Sequence, residues 1–370
     1  MATKMTAIVM NTSYERVGEL DDYISFIWTE RYYTTGDFEI ILPITDKNVS
    51  LCQMGNYIIR GDIEPSDYEG YTCIENAGII EELTFDSNYE GVEQMHVSGR
   101  FLTGVLARRV CREAHYIDAT PPNIAQVTTS INMGVASSGS RTVPELNYPY
   151  AQNQQSSVST LIDGVQNGEN VLDFITGLAE NYGFGFRIRC LPELISWQML
   201  TFDGVDRSYA QNVNPYVVFA DTYDNLASAM YDEDMKGIVT DVLVNGEILD
   251  TGYRYTTWAT NGSTNSGLKR YEAFVESAQV RTLEDGTVLS DAQYLKNLRT
   301  EGRLSIRNLA QAFSGEVYFG QYKWREDVDI GDIVTLQNAR WGVYVNARII
   351  EMIESTNEAG QYTSIPTFGI

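Results

Sequence analysis

Two short stretches at opposite ends of this chain carry the same order of elements, and that order constrains the fold more than any other feature. Met54-Gly55-Asn56-Tyr57-Ile58-Ile59 resembles Ile330-Gly331-Asp332-Ile333-Val334-Thr335. Further on, Ala77-Gly78-Ile79-Ile80-Glu81 resembles Ala347-Arg348-Ile349-Ile350-Glu351. Each is followed by an acidic, Asn- or Gly-bearing hairpin and a last strand ending at Gly99 or Gly369. Aligned without gaps, residues 77–99 and 347–369 share five identities in 23, so the order agrees better than the letters. Two readings stand: unrelated hairpins built from common turn residues, or one small β-barrel duplicated.

The local patterns favour strands at both ends. Phe38, Ile40 and Leu42 alternate with their neighbours until Pro43, which cannot donate to a ladder and stops the run. From Phe101, the positions Leu102, Val105, Leu106 and Val110 change to helical spacing and predict a helix ending near Arg112. Residues 119–168 are polar and poor in charge, punctuated by Pro121-Pro122 and a Gly/Ser cluster, which predicts a surface excursion with a short helix near 122–133. Asn170 and Gly183 bracket a second helix as cap and stop. Residues 185–188 and 196–202 read as strands with Asp203-Gly204 as a hairpin turn, and Asn245-Gly246 marks another turn after a strand at 239–244. Residues 256–268 look like a loop. Ser290 to Gln293 forms a capping-box pattern opening a helix of about five turns that reaches Phe313.

Charge excludes one function class. Lys+Arg 26 against Asp+Glu 50 gives −24, and a protein wrapped around nucleic acid needs the opposite sign to neutralise phosphates. The acidity lies at the ends: residues 1–110 carry 8 basic and 18 acidic side chains, 111–200 carry 4 and 8, and 201–370 carry 14 and 24. That shift divides the chain into terminal domains and an intervening region. The 24 tyrosines suit strands and subunit contacts. No run approaches the ~20 apolar residues of a membrane span. Met1 to Asn11 lack the apolar core of a secretory signal, and the scattered Cys52, Cys73, Cys111 and Cys190 form no disulfide framework. Synthesis in a reducing cytoplasm is the expectation.

Catalytic motifs are missing. No phosphate-binding loop, dinucleotide fingerprint, HExxH or GxSxG occurs. Cys111 and His115 stand at helical i, i+4 spacing but lack a second ligand pair. Glu81-Glu82, Asp232-Glu233-Asp234 and Glu326-Asp327 read as solvated acidic segments, the middle one as a turn. The expectation is therefore no enzyme, and no catalytic, cofactor-binding or metal residues.

Phe26-Ile27-Trp28-Thr29-Glu30-Arg31-Tyr32 followed by Gly36-Asp37-Phe38-Glu39-Ile40 resembles the opening of the tail-tip (baseplate) hub proteins of long-tailed siphophages, themselves similar to the central hub of contractile phage baseplates. Gly78 to Glu81, Val97 to Leu102 and Arg108-Arg109 continue the resemblance, and Asp329 to Val334 with Ala347 to Glu351 resembles the family's closing barrel. The resemblance implies an α+β, β-rich fold: two related tube-type small β-barrels with inserted α/β domains. It implies a first barrel at 1–100, an inserted domain at 101–215, and a second barrel at 216–370 interrupted around 250–312, with strands near 216–219 and 239–244 completing it. It further implies a homotrimeric, pseudo-six-fold ring in the virion tail tip, joining the hexameric tail tube or distal tail rings to a fibre or spike protein. Phage DNA would pass through without specific binding. The alternatives are a carbohydrate- or receptor-binding β protein of the same particle, with Trp258 stacking on a sugar, and a secreted acidic hydrolase.

Overall fold

The computed structural model describes residues 4–87, 93–110, 143, 145–147, 154–155, 170–283, 286–314, 316–317 and 321–369. The helix expected near 122–133 and most of the polar excursion lie outside them.

The N-terminal part contains β1 (Ala7–Met10), β2 (Arg16–Leu20), β3 (Ser25–Arg31), β4 (Asp37–Pro43) and a short helix, α1 (Asp46–Leu51). It continues with β5 (Tyr57–Arg60), the small hairpin β6 (Ser66–Tyr68) and β7 (Tyr71–Cys73), then β8 (Ala77–Ile79), β9 (Glu82–Ser87) and β10 (Glu93–Arg100). β2-β1-β5-β8 form one sheet, and β3-β4-β10-β9 run consecutively in a second. Their facing side chains, among them Val9, Ile58, Phe26, Trp28, Phe38, Ile40 and Val97, make one core cluster. The alternation at Phe38, Ile40 and Leu42 places all three inside, as period two requires.

The middle comprises β11 (Leu146–Asn147), β12 (Gln154–Gln155), α2 (Val171–Tyr182), β13 (Gly185–Leu191) and β14 (Ser196–Phe202). Asn170 Oδ1 accepts from the N–H groups of Leu172 and Asp173, and Gly183 ends the helix in the left-handed region, so both expected signals operate. The β13–β14 turn lies at Pro192–Leu194 and Ile195. Asp203-Gly204 instead runs against the backbone of Gly331, where a Cβ on Gly204 would stand 1.8 Å from a carbonyl oxygen. The segment after Phe101 is a 3-10 helix over Leu102–Arg108 rather than a helix to Arg112. The chain leaves it extended because the Arg109 carbonyl accepts from Val171 N–H and Val110 bridges Asn170.

The remaining elements are β15 (Val218–Ala220), β16 (Met230–Asp234), β17 (Asp241–Ile248), β18 (Arg254–Thr260), β19 (Glu272–Glu276), α3 (Asp291–Arg303), β20 (Ala310–Ser314), β21 (Ile333–Asn338), β22 (Val343–Asn357) and β23 (Tyr362–Gly369). β18-β17-β19 and α3 build a separate small core around Val242, Val244, Tyr255, Tyr294 and Leu298. The strand expected at 239–244 therefore pairs there and does not complete a second barrel. Residues 256–260, the first part of the loop expected at 256–268, belong instead to β18, and Asn245-Gly246 lies within β17 beside a register shift rather than at a turn. The capping box at Ser290 is present, but α3 ends at Arg303. Phe313 is in a strand because it pairs with Phe368 across β20–β23 and fills the core. Asp232-Glu233-Asp234 is likewise strand, not turn.

The largest sheet runs β16-β20-β23-β22-β3-β4-β10-β9, with β21 and β15 branching from β22. The fold is β-rich α+β, and among the described residues no sheet closes on itself.

The two end stretches correspond in hydrogen bonding. Gly55 N–H donates to Ile80 O at 2.9 Å and Ile80 N–H to Asn56 O at 2.8 Å. Gly331 N–H donates to Ile349 O at 2.8 Å and Ile349 N–H to Asp332 O at 2.9 Å. Both glycines have positive φ, 87° and 91°. The following hairpins share a register: Ser87↔Glu93 through Glu82↔Ser98 match Thr356↔Tyr362 through Glu351↔Thr367. Structurally Ile80 thus corresponds to Ile349, one residue off the gap-free alignment that matched it to Ile350. The burial pattern follows the structure, since a one-residue slip would turn every side chain to the other face.

Candidate functional site

The two repeated hairpin units meet where β22 pairs antiparallel with β3, from Glu351↔Arg31 to Asn357↔Ser25. This junction joins residues over 300 positions apart into one continuous sheet. On its core side Met352, Glu354 and Thr356 alternate on β22, and Phe26, Trp28 and Glu30 on β3, all buried.

Two buried carboxylates would be costly without partners. Arg325 supplies them with charge, donating to both Glu30 and Glu354. Arg60 stands 3.4 Å from Glu354 and pairs with Asp62 at 2.6 Å. Tyr362 Oη donates to Glu354 Oε1 at 2.7 Å, and Trp28 Nε1 to Glu30 Oε1 at 3.3 Å. Burial alone would raise the Glu354 carboxyl, but the Arg325 and Arg60 charges and the hydrogen bonds from Arg325 and Tyr362 hold it well below the usual range. Arg325 holds a left-handed backbone, φ 67°, in the short turn that aims it at the two carboxylates.

The opposite face of the long sheet is open. Register places Asp37, Glu39, Glu82, Asp86, Asp232, Asp234 and Glu351 on it, against Arg31 and Arg100. Both cations are already engaged: Arg31 with Asp37 and, at 2.7 Å, Glu351; Arg100 with Glu81 at 2.7 Å. The sheet thus presents a surface of net negative charge.

The other candidates disperse. Cys111 and His115 lie outside the described residues, among which no cluster of His, Cys, Asp and Glu could hold a metal. Glu81 binds Arg100 and Arg108, while Glu82 is exposed on an edge strand. Glu326 pairs with Lys323 at the surface, and Asp327 accepts from the Lys323 N–H. Trp258 sits within β18 with the Arg270 guanidinium over its ring at 4.6 Å, so that face is occupied. The cavity between Glu30, Arg31, Phe101, Phe186, Arg187 and Ile330 has room for about one water. No helix is long and apolar enough to cross a membrane among the described residues. The Arg325–Glu30–Glu354 cluster escaped the sequence reading. Its signal was there: Glu30 and Glu354 fall in phase with the apolar positions of their strands.

Solved phage tail proteins share this fold. A tail protein from Neisseria meningitidis MC58 superimposes with a TM-score of 0.55 at 12% identity, covering 99% of this chain and 97% of that one. Prophage tail protein gp18 from Listeria monocytogenes EGD-e gives 0.54 at 11%, covering 98% and 94%. The 43 kDa tail protein of prophage MuSo2 from Shewanella oneidensis gives 0.52 at 11%, covering 99% and 97%. No curated protein matches the sequence. The sequence profile of the Siphovirus ReqiPepy6 Gp37-like proteins matches residues 6–370, so the chain belongs to that family of siphovirus tail proteins and is a component of the virion tail.

Proposed function

We propose that this chain is the structural hub of the tail tip: three copies form a ring with six similar units around the DNA channel. The ring joins the six-fold tube or distal tail rings to a three-fold fibre or spike. The observation that carries the reading is the internal repeat, two hairpin units of equal register set side by side in one sheet. Three chains each holding two such units supply six faces under closed three-fold symmetry. We place the first tube-type barrel at 1–100, an inserted domain at 101–215 and the second barrel at 216–370 with its own insertion; neighbouring copies would close the open sheets. The acidic open face suits a lumen, because like charge and absent counterion release keep passing DNA from sticking. The role is structural and needs no catalytic or cofactor-binding residue. Electron micrographs of the purified chain, and of its parent tails after labelling, provide the test. Three-fold rings on the tail axis are expected; a chain located elsewhere in the tail, or without three-fold symmetry, would refute the hub.

A further inference from the structure

The long sheet ends at β9 on one side and β16 on the other, and the repeat relates these two edges to the strands that meet at the internal junction. Through the shared hairpin register, β9 corresponds to β22, with Phe85 at the place of Glu354. Through the pairings Trp28↔Phe38 and Tyr231↔Phe313, β16 corresponds to β3, with Tyr231 at the place of Trp28. What the internal junction buries, the two outer edges leave open. Met352 and Glu354 are 0% and 1% exposed, whereas Phe85 is 54% exposed and Tyr231 is only partly buried; on the other face of the same edge Met230 is 63% exposed. An exposed edge strand bearing large apolar side chains is a template for another chain.

We infer that β9 of one copy pairs antiparallel with β16 of the next, in the register of the β22–β3 junction: Glu82 opposite Asp234, Thr84 opposite Asp232, and Phe85 against Tyr231. This rests on the ring reading above and names its contact between copies. A head-to-tail contact of this kind repeats until the rotation closes. Its chemistry differs from that of the internal junction. The Arg31–Glu351 ion pair, 2.7 Å within the chain, is replaced between copies by two acids, Glu82 and Asp234. An aromatic pair replaces the buried ion cluster. The contact between copies is therefore apolar at its centre, repulsive at one end, and strengthened by salt.

Cysteine pairs test the register. Tyr32 N–H donates to Ile350 O at 2.9 Å and Glu358 N–H to Ile24 O at 2.8 Å. Thr29 and Ile353 are thus a non-hydrogen-bonded pair, with the close approach a disulfide needs. Their counterparts Thr84 and Asp232 are both exposed, so a chain carrying Thr84→Cys and Asp232→Cys should fold normally. Under mild oxidation it should give disulfide-linked dimers and trimers, while Thr84→Cys with Asp234→Cys, two residues out of register, and the unmodified chain should not. Asp234→Arg recreates the internal ion pair and should tighten assembly severalfold, with less dependence on salt. If the purified chain is monomeric, the same variants are read in assembled tails. Three-fold rings without the on-register cross-link, or with only the off-register one, overturn this pairing and leave the hub standing. Absence of the chain from any ring in the tail removes the hub itself.

Discussion

The two repeated units are one design with different fastenings. In the N-terminal unit the turn around the glycine is amide-bearing, Gln53 and Asn56. In the C-terminal unit the equivalent residues are carboxylates, Asp329 and Asp332. The backbone is the same in both, with Asn56 N–H donating to Gln53 O at 3.0 Å and Asp332 N–H to Asp329 O at 3.1 Å. Asp332, however, also accepts from Val205 N–H and Arg207, both at 2.7 Å, and so ties its unit to the chain arriving from the middle region. The partner strands differ too: β1 runs antiparallel to β5, while β15 runs parallel to β21. Backbone geometry was kept in both copies, and side-chain chemistry was free to change wherever a different neighbour had to be held.

The sharpest way to break this comparison is at the internal junction. Arg325→Ala leaves Glu30 and Glu354 buried without their shared cation, and should cost about 3–5 kcal/mol in denaturant unfolding. Phe85→Ala at the corresponding outer edge should leave the stability of a single copy nearly unchanged. Next come the paired glycines. Gly331→Ala meets the Tyr32 ring at 2.3 Å in addition to its positive φ, whereas a Cβ on Gly55 finds its nearest neighbour at 3.9 Å. Gly331→Ala should therefore cost roughly 2–4 kcal/mol and Gly55→Ala about 1 kcal/mol. Equal losses would mean the two turns are held alike.

The smallest effect expected is in pH dependence. The Glu354 carboxyl lies below its unfolded value of 4.5, so its stabilisation is present above that pH and fades as pH falls through the folded value. Asp329 has the opposite sign. Burial raises it from 3.8 to about 6, so ionising it costs stability as pH rises from about 4 through 6. Asp329→Asn, which makes the turn resemble its amide-bearing counterpart, should flatten the thermal-midpoint profile in that window while leaving the acid limb of Glu354. A profile unchanged between pH 4 and 6 would assign the dependence elsewhere.

Much of this protein was legible in its letters, because the relevant signals are local. Asn170 and Gly183 marked a helix, Ser290 and Gln293 capped another, and the alternation of Phe38, Ile40 and Leu42 fixed an inward face. The repeat was visible as an order of turn and strand, though its true register lies one residue from the best match of letters. Hydrogen-bond pairing sets register, and pairing depends on a distant strand. For the same reason Phe313 read as the tail of a helix, its spacing fitting one until Phe368 claimed it for a strand. Residues 256–260 read as part of a loop because nothing nearby says that they pair with β17. The sequence by itself determined a β-rich, acidic, duplicated chain and the family to which it belongs. Only the tertiary structure decided that Arg325 is the cation for Glu30 and Glu354, and that the two units share one sheet. A buried charge is tolerable only where the fold brings its partner within contact, and no local pattern encodes a partner some 300 residues away.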